Sequence, residues 1–331
     1  MFPCPVALKP LPSGRVYSGP MLALATPDVL VLGVGGVLGE AWMSGFLAGA
    51  AARTGIEFRD ARCFVGTSAG AIVAARLAAG VPPDRSGGPA GAASKLAAAG
   101  PREVPPARRG RIERSTIAPV TAAVLRGAAP AGALARSALL AGVPDGRMSL
   151  DPVRARIARL GAAFDGRLRV AAVDRRNGRR VVFGSPGGPT ASVADAVAAS
   201  CAVPGVFAPV RIGTREYVDG GVWSPTNLDV APVGRGARVL CLVPTAVLEG
   251  APTGLFRALA RAWSLATAFE AVAARGAGVE VTIIEPDSRA AAAMGRDLMD
   301  PRPREQVRAA GFAHGLAAAG EPARSHAAAR S

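Results

Sequence analysis

The chain has 331 residues, half of them apolar, a length that suits one large domain or two small ones around a sizeable core. Aromatics make up 5% and the formal net charge is +15, carried almost wholly by arginine because Lys9 and Lys95 are the two lysines. A surface this basic suits nucleic acid or an anionic membrane, and an Arg- and Ala-biased composition yields the same charge; no basic run is interleaved with aromatics, which argues against a nucleic-acid module.

Residues 1–26 are punctuated by Pro3, Pro5, Pro10, Pro12 and Pro20 and read as a flexible leader. They lack the basic start and clean apolar stretch of a signal peptide, and no uninterrupted apolar run reaches membrane-spanning length. The expectation is a cytoplasmic protein, with peripheral attachment to a membrane left open. Residues 28–33 then read as a buried strand running into Gly33-Val34-Gly35-Gly36-Val37-Leu38-Gly39, with a helical pattern from Glu40 to about Arg53. Strand, glycine-rich turn and helix make an anion-binding arrangement, because bare backbone amides collect at a helix N-terminus. It suits an oxyanion hole. It also suits a dinucleotide-binding turn, although Leu38 stands where the third glycine of that fingerprint belongs and neither Glu57 nor Asp60 clearly supplies its acidic residue.

The next strand, Cys63 to Val65, enters Gly66-Thr67-Ser68-Ala69-Gly70, and an Ala-rich helix runs from Ala69 to Ala79. Gly-x-Ser-x-Gly between strand and helix is the form of a nucleophile elbow. Ser68 stands at the apex of a sharp turn, Gly66 and Gly70 remove the side chains that would block close strand–helix approach, and the helix amides face the serine. In a chain this rich in Gly and Ala the pattern alone also describes an ordinary strand–helix turn. From about residue 82 to 130 the chain is irregular, broken by prolines and by the cluster Arg108-Arg109-Gly110-Arg111. It reads as an insertion over the serine: a lid, a membrane-facing flap, or plain disorder over 83–110. The basic stretch near 102–114 suits docking on anionic lipid. Segments 116–141 and 151–162 read as helical.

Residues 168–173 and 179–183 read as paired strands, and Ser192 to Ser200 as a helix. A proline-stiffened loop from Val203 to Pro209 leads to a hairpin, Val210 to Val218, that turns at Gly213-Thr214 and ends in Asp219-Gly220-Gly221. Residues 238–243 and 280–285 are two further apolar strands, and 304–318 is a helix before a polar tail. Strands alternating with helical stretches predict a mainly parallel sheet with helices on both faces. Cys4, Cys63, Cys201 and Cys241 form no Cys-x-x-Cys pair and read as free thiols, with neither a disulfide frame nor a metal site.

A serine hydroxyl needs a base to take its proton. Of the two histidines, His326 lies in the polar tail, and His314, in the last helix, is the one able to complete a triad in the chain order Ser68, Asp219, His314. The alternative is direct activation by Asp219. A free Asp is a weak base, but a partly dry site raises its pKa, and the two following glycines let backbone pack close to the carboxylate.

The order Gly35-Gly36-Val37-Leu38-Gly39, then Gly66-Thr67-Ser68-Ala69-Gly70, then Asp219-Gly220-Gly221 resembles the patatin-like phospholipases. The connecting stretches from Ala199 to Val210 and from Ser224 to Leu228 resemble that family's loops around its catalytic Asp, and the similarity covers about residues 28 to 300. The resemblance implies a three-layer α/β/α patatin-like fold with a mainly parallel central sheet. It implies a Ser68–Asp219 dyad, oxyanion amides from Gly35 and Gly36 with Ala69 as a further donor, and structural glycines at Gly39, Gly66, Gly70, Gly220 and Gly221. The implied reaction is hydrolysis of phospholipid or other lipid acyl esters, with no cofactor and no metal. The implied organisation is a leader at 1–26, the phospholipase domain at 27–300 with its insertion at about 82–130, and a C-terminal helix and polar tail at 301–331. Two residues depart from the family's usual loop, Gly-Gly-Gly-x-Arg/Lys-Gly. Val34 replaces the first glycine and Leu38 the basic residue, which is expected to weaken the oxyanion hole. A relative that kept the fold as a lipid-binding module without catalysis is the reading from another functional class. Head group, acyl position and oligomeric state are not encoded in any motif.

Overall fold

The computed structural model of the chain describes residues 24, 26–83, 132–250 and 255–319. The strands are β1 (Val29–Leu32), β2 (Cys63–Thr67), β3 (Leu168–Asp174), β4 (Arg180–Phe183), β5 (Val210–Ile212), β6 (Arg215–Asp219), β7 (Arg238–Leu242) and β8 (Glu280–Ile284). The helices are α1 (Gly36–Thr54), α2 (Ala69–Ala78), α3 (Gly132–Ala141), α4 (Asp151–Ala158), α5 (Val193–Ser200), α6 (Leu255–Gly276), α7 (Ser288–Met294) and α8 (Arg304–Ala318). Nearly all of the expected leader, the insertion beyond residue 83 with its basic stretch, and the polar tail with His326 lie outside the described residues.

Among the described residues the eight strands join in one sheet. Hydrogen-bonded neighbours follow β5-β6-β3-β2-β1-β7-β8, with β4 also paired to β3. β3, β2, β1, β7 and β8 are parallel, and β4, β5 and β6 run antiparallel to their partners. Side chains alternate across the parallel strands. Leu30, Leu32, Phe64, Leu240 and Leu242 face a core closed by α1, α2, α4, α5, α7 and α8. Val29, Val31, Cys63, Val65, Val239 and Cys241 face a smaller core that includes Ala271 of α6. The result is the three-layer α/β/α architecture expected from the sequence.

The register of β3 positions the site. Thr67 at the end of β2 pairs with Ala171, and Asp219 at the end of β6 pairs with the next residue, Ala172. Both Val170 and Ala171 also pair with β4, as do Ala172 and Val173, so β4 occupies one edge of β3 while β2 and β6 share the other end to end. The parallel strand β2 and the antiparallel strand β6 thus meet head-on at the sheet's centre.

Three features differ from the sequence reading. Helix α1 starts at Gly36 rather than Glu40, with Gly35 as N-cap, so half of the glycine-rich stretch is helical. The helix expected over 151–162 ends at Ala158, and the described part of the one expected over 116–141 is α3. Helices α6 and α7 were not anticipated. α1 is buried along nearly its whole length, which its sequence foreshadows by showing no polar stripe. α8 lies on it with the two backbones touching. Gly45 and Gly49 of α1 meet the Arg308 and Phe312 carbonyls, and Gly311 and Gly315 of α8 meet those of Trp42 and Phe46. A Cβ at any of these four positions has no room. This is the small-x-x-x-small spacing that permits close helix contact.

Candidate active site

The elbow is built as its glycines require. A Cβ on Gly66 would lie 2.5 Å from the Cα of Ala71, and one on Gly70 would enter the Leu32 carbonyl. Ser68 itself has φ 55 and ψ −121 as N-cap of α2, a conformation that costs on the order of 1–3 kcal/mol for a residue with a side chain. Its N–H donates to the Ser200 hydroxyl at 2.8 Å, and that hydroxyl donates to the Ala171 carbonyl at 2.6 Å. Ser200 therefore ties the strained turn to β3. The sequence reading placed Ser200 at a helix end without giving it this task.

Asp219 is brought to Ser68 by the shared edge of β3. Its Oδ1 accepts the Gly221 N–H at 2.7 Å, while Oδ2 is buried with no closed hydrogen bond among the described residues. Burial pushes the carboxyl up to about 7, opposed by interaction with the Ser68 hydroxyl and by the Gly221 N–H. The Ser68 hydroxyl favours the ionised carboxylate, which sets it beside Asp219, and catalytic hydrogen bonds commonly close only when substrate binds. The buried Cys201 thiol is a second neighbour of Ser68. Its pKa is raised by burial and then by the charges of Asp219 and Glu40, against lowering by Arg156 and the Ser68 hydroxyl. Glu40 of α1 is itself buried and paired with Arg156 of α4 at 3.1 Å and Arg304 of α8 at 3.4 Å.

The glycine-rich turn sorts its amides. Val34 N–H donates to Pro225 O, Leu38 N–H to Leu298 O and Gly39 N–H to Gly35 O. No backbone carbonyl among the described residues accepts from Gly35, Gly36 or Ala69, the three amides expected to face an oxyanion. Gly36 has φ 60, and a Cβ there would lie 2.6 Å from the Leu298 carbonyl, so the left-handed position that demands glycine is 36 and not 34. Val34 has no positive φ. Its methyl packs under Gly221, where a Cβ would lie 2.8 Å from Val34 Cγ1. Val34 therefore sits in the turn without left-handed backbone strain. Leu38 is fully buried in the main core. Gly39 rests against Pro244, and Gly220 against the Ala171 carbonyl and Thr67.

His314 is elsewhere. Its ring packs against Phe46 at 5.1 Å and Trp42 at 6.0 Å between centroids. Burial lowers its pKa, Asp287 opposes this, and no hydrogen bond joins it to Ser68 or Asp219.

The segment after Asp219 is fixed by Asn227, inside the Ser224–Leu228 stretch that the sequence singled out, and by Glu270 and Trp263, which it did not. Asn227 adopts φ 50 and donates from Nδ2 to Thr67 Oγ1 at 3.1 Å and Ser224 O at 2.8 Å. Glu270 of α6 accepts from Thr226 Oγ1 at 2.6 Å and Leu228 N–H at 2.8 Å through one oxygen. Trp263 Nε1 donates to Gly221 O at 3.1 Å. Burial raises Glu270, against its hydrogen bonds from Ser224 and Thr226. The available signal for these residues was the helical spacing 263, 267, 270, with a lone acid in an Ala-rich run. No three His, Cys, Asp or Glu side chains among the described residues could hold a metal ion. A cavity of about 520 Å³ lined by Asp28, Arg62, Cys63 and Arg235 opens at the amino ends of β1 and β2, away from Ser68.

The patatin-like phospholipase family model matches residues 30–232, a span that includes the glycine-rich turn, the elbow and Asp219-Gly220-Gly221. Among solved structures, VipD from Legionella pneumophila is similar at 15% identity and a TM-score of 0.40, over 89% of this chain and 67% of that one, a likeness too slight to carry an argument. No curated protein matches the chain. With a sheet register that gathers three separated motifs at one point, and a family model that spans more than half its length, the chain belongs to the patatin-like phospholipase family.

Proposed function

We propose that this protein is a serine-dependent lipid acyl hydrolase working through a Ser68–Asp219 dyad and an acyl-enzyme. Its family is one of lipid acyl hydrolases in general; the dyad and the reaction steps are our reading. The observation that carries it is the Asp219 carboxyl: buried, raised to about 7, with one oxygen held by Gly221 and the other turned to no other hydrogen-bond donor. Such a carboxylate is a far better proton acceptor at neutral pH than a solvated one, and holding Oδ1 fixes the orientation of Oδ2.

In the first step Ser68 Oγ attacks the ester carbonyl and its proton passes to Asp219. The tetrahedral oxyanion takes hydrogen bonds from the Gly35, Gly36 and Ala69 amides, and its collapse expels the alcohol, which takes the proton from Asp219. In the second step Asp219 removes a proton from water, the resulting hydroxide attacks the acyl carbon, and Ser68 leaves with its proton restored as the fatty acid departs. Leu38 puts no cation beside the oxyanion, so the amides carry that charge. Loss of one such donor typically costs about 3 kcal/mol.

A fluorophosphonate probe tests the reading. It should label the native protein and leave Ser68→Ala unlabelled. An unlabelled native protein would instead favour a lipid-binding module without catalysis. No helix among the described residues is long and apolar enough to cross a membrane, and contact with lipid is proposed to be peripheral.

A further inference from the structure

Helix α6 has two faces with different business. Inward, Trp263 and Glu270 hold Gly221, Thr226 and Leu228, the segment that follows Asp219. Outward, Leu265, Phe269 and Val272 are 53%, 68% and 64% exposed, an apolar stripe at spacings of four and three residues that no other element among the described residues covers. Arg261, also exposed, extends the same stripe by one turn. The one acid of α6, Glu270, points the other way.

We infer that the outer face of α6 docks on the surface of an anionic lipid bilayer. The inference takes its partner from the lipid-hydrolase reading and its site from this stripe. Leu265 to Val272 spans only about 10 Å of helix, too little for the roughly 800 Å² per partner that a stable protein interface buries. Shallow insertion into a headgroup layer needs no more than such a stripe beside basic charge. The chain's net charge of +15 and the acid-free outer face complement anionic lipid. The bilayer would then lie about one helix diameter from the segment behind Asp219.

The test uses the full chain and vesicles of phosphatidylcholine with one-third phosphatidylglycerol, read by co-sedimentation, alongside turnover of a short soluble ester. The triple variant Leu265→Asp, Phe269→Asp, Val272→Asp should lose vesicle binding by about a hundredfold or more and keep soluble-ester turnover. Binding equal to wild type would overturn the proposal, as would equal wild-type binding to vesicles of phosphatidylcholine alone. A wild-type dimer that the triple variant converts to monomer, with vesicle binding unchanged, would assign the stripe to a second copy instead. Phe269→Trp keeps the face apolar and guards against misfolding. Its emission, relative to wild type, should shift blue on vesicles and be quenched by brominated lipid; no shift refutes docking. Ser68→Ala should bind vesicles as wild type does, so loss of turnover with intact binding counts against the dyad alone, and loss of binding with intact soluble turnover against the docking face alone.

Discussion

The Ser200 hydroxyl accepts the backbone N–H of Ser68 at 2.8 Å, and through its own proton anchors that strained residue to β3 at Ala171. Ala171 pairs with Thr67 and its neighbour Ala172 with Asp219. One buried hydroxyl therefore fixes the elbow at the step of the sheet where the carboxylate arrives.

Ser200→Ala should lower kcat about tenfold to a hundredfold with little change in KM, because it leaves the Ser68 amide and the Ala171 carbonyl unpaired, worth about 1–3 kcal/mol. Steady-state kinetics on a soluble ester decide it. A raised KM with kcat unchanged would show that the contact does not position the nucleophile.

Turnover should rise as pH passes through about 7, where Asp219 becomes the ionised base. The same shift sets a stability trend. A carboxyl whose folded pKa exceeds its ordinary value contributes stability while protonated, in full below that ordinary value, and loses it as pH climbs to the folded pKa. Asp219→Asn removes this dependence. The variant should be inactive, and its unfolding free energy should gain on wild type from about pH 4 to about pH 7 and then level off, a gain of at most on the order of 4 kcal/mol. Calorimetry across that range checks the sign.

His314→Ala should leave ester turnover within about twofold and cost about 1–2 kcal/mol of stability, since the ring packs with Trp42 and Phe46 and touches neither site residue. Near-total loss of kcat in a folded variant would restore the triad.

Glu270→Ala strips the acceptor from Thr226 and Leu228 and should lower kcat while costing about 2–3 kcal/mol. Glu270→Gln retains an acceptor oxygen and should recover most of the turnover. If both variants behaved alike, the side chain would not be acting through those bonds.

Gly315→Ala brings a methyl into the Phe46 carbonyl of α1. The helices must part, and the variant should lose about 1–3 kcal/mol with the steady-state kinetics of the folded fraction unchanged. Urea unfolding measures the loss.

Much of the sheet was readable because its strands are apolar runs bounded by turns, and the hairpin at Gly213-Thr214 stands where its turn residues put it. Helix α8 matched its expected span, and the start of α1 did not, because glycine propensity says loop while burial on every side says helix. Helix α6 was not legible because three of its larger apolar side chains, Leu265, Phe269 and Val272, are exposed while its buried positions include the small Ala260 and Ala271, so the apolar pattern does not mark the inner face.

The sequence by itself determined the order of the chemistry: a glycine-rich turn, an elbow serine, and an aspartate ahead of two glycines. Each is a local demand for bare backbone or tight turning, and local demands are written in neighbouring residues. Only the tertiary structure decided that Asp219 rather than His314 lies beside Ser68, that Ser200 and Glu270 support them, and that position 36, not 34, needs glycine. Those outcomes depend on strand register and on which carbonyls a backbone meets across the sheet, distances set by residues from about forty to well over a hundred positions apart.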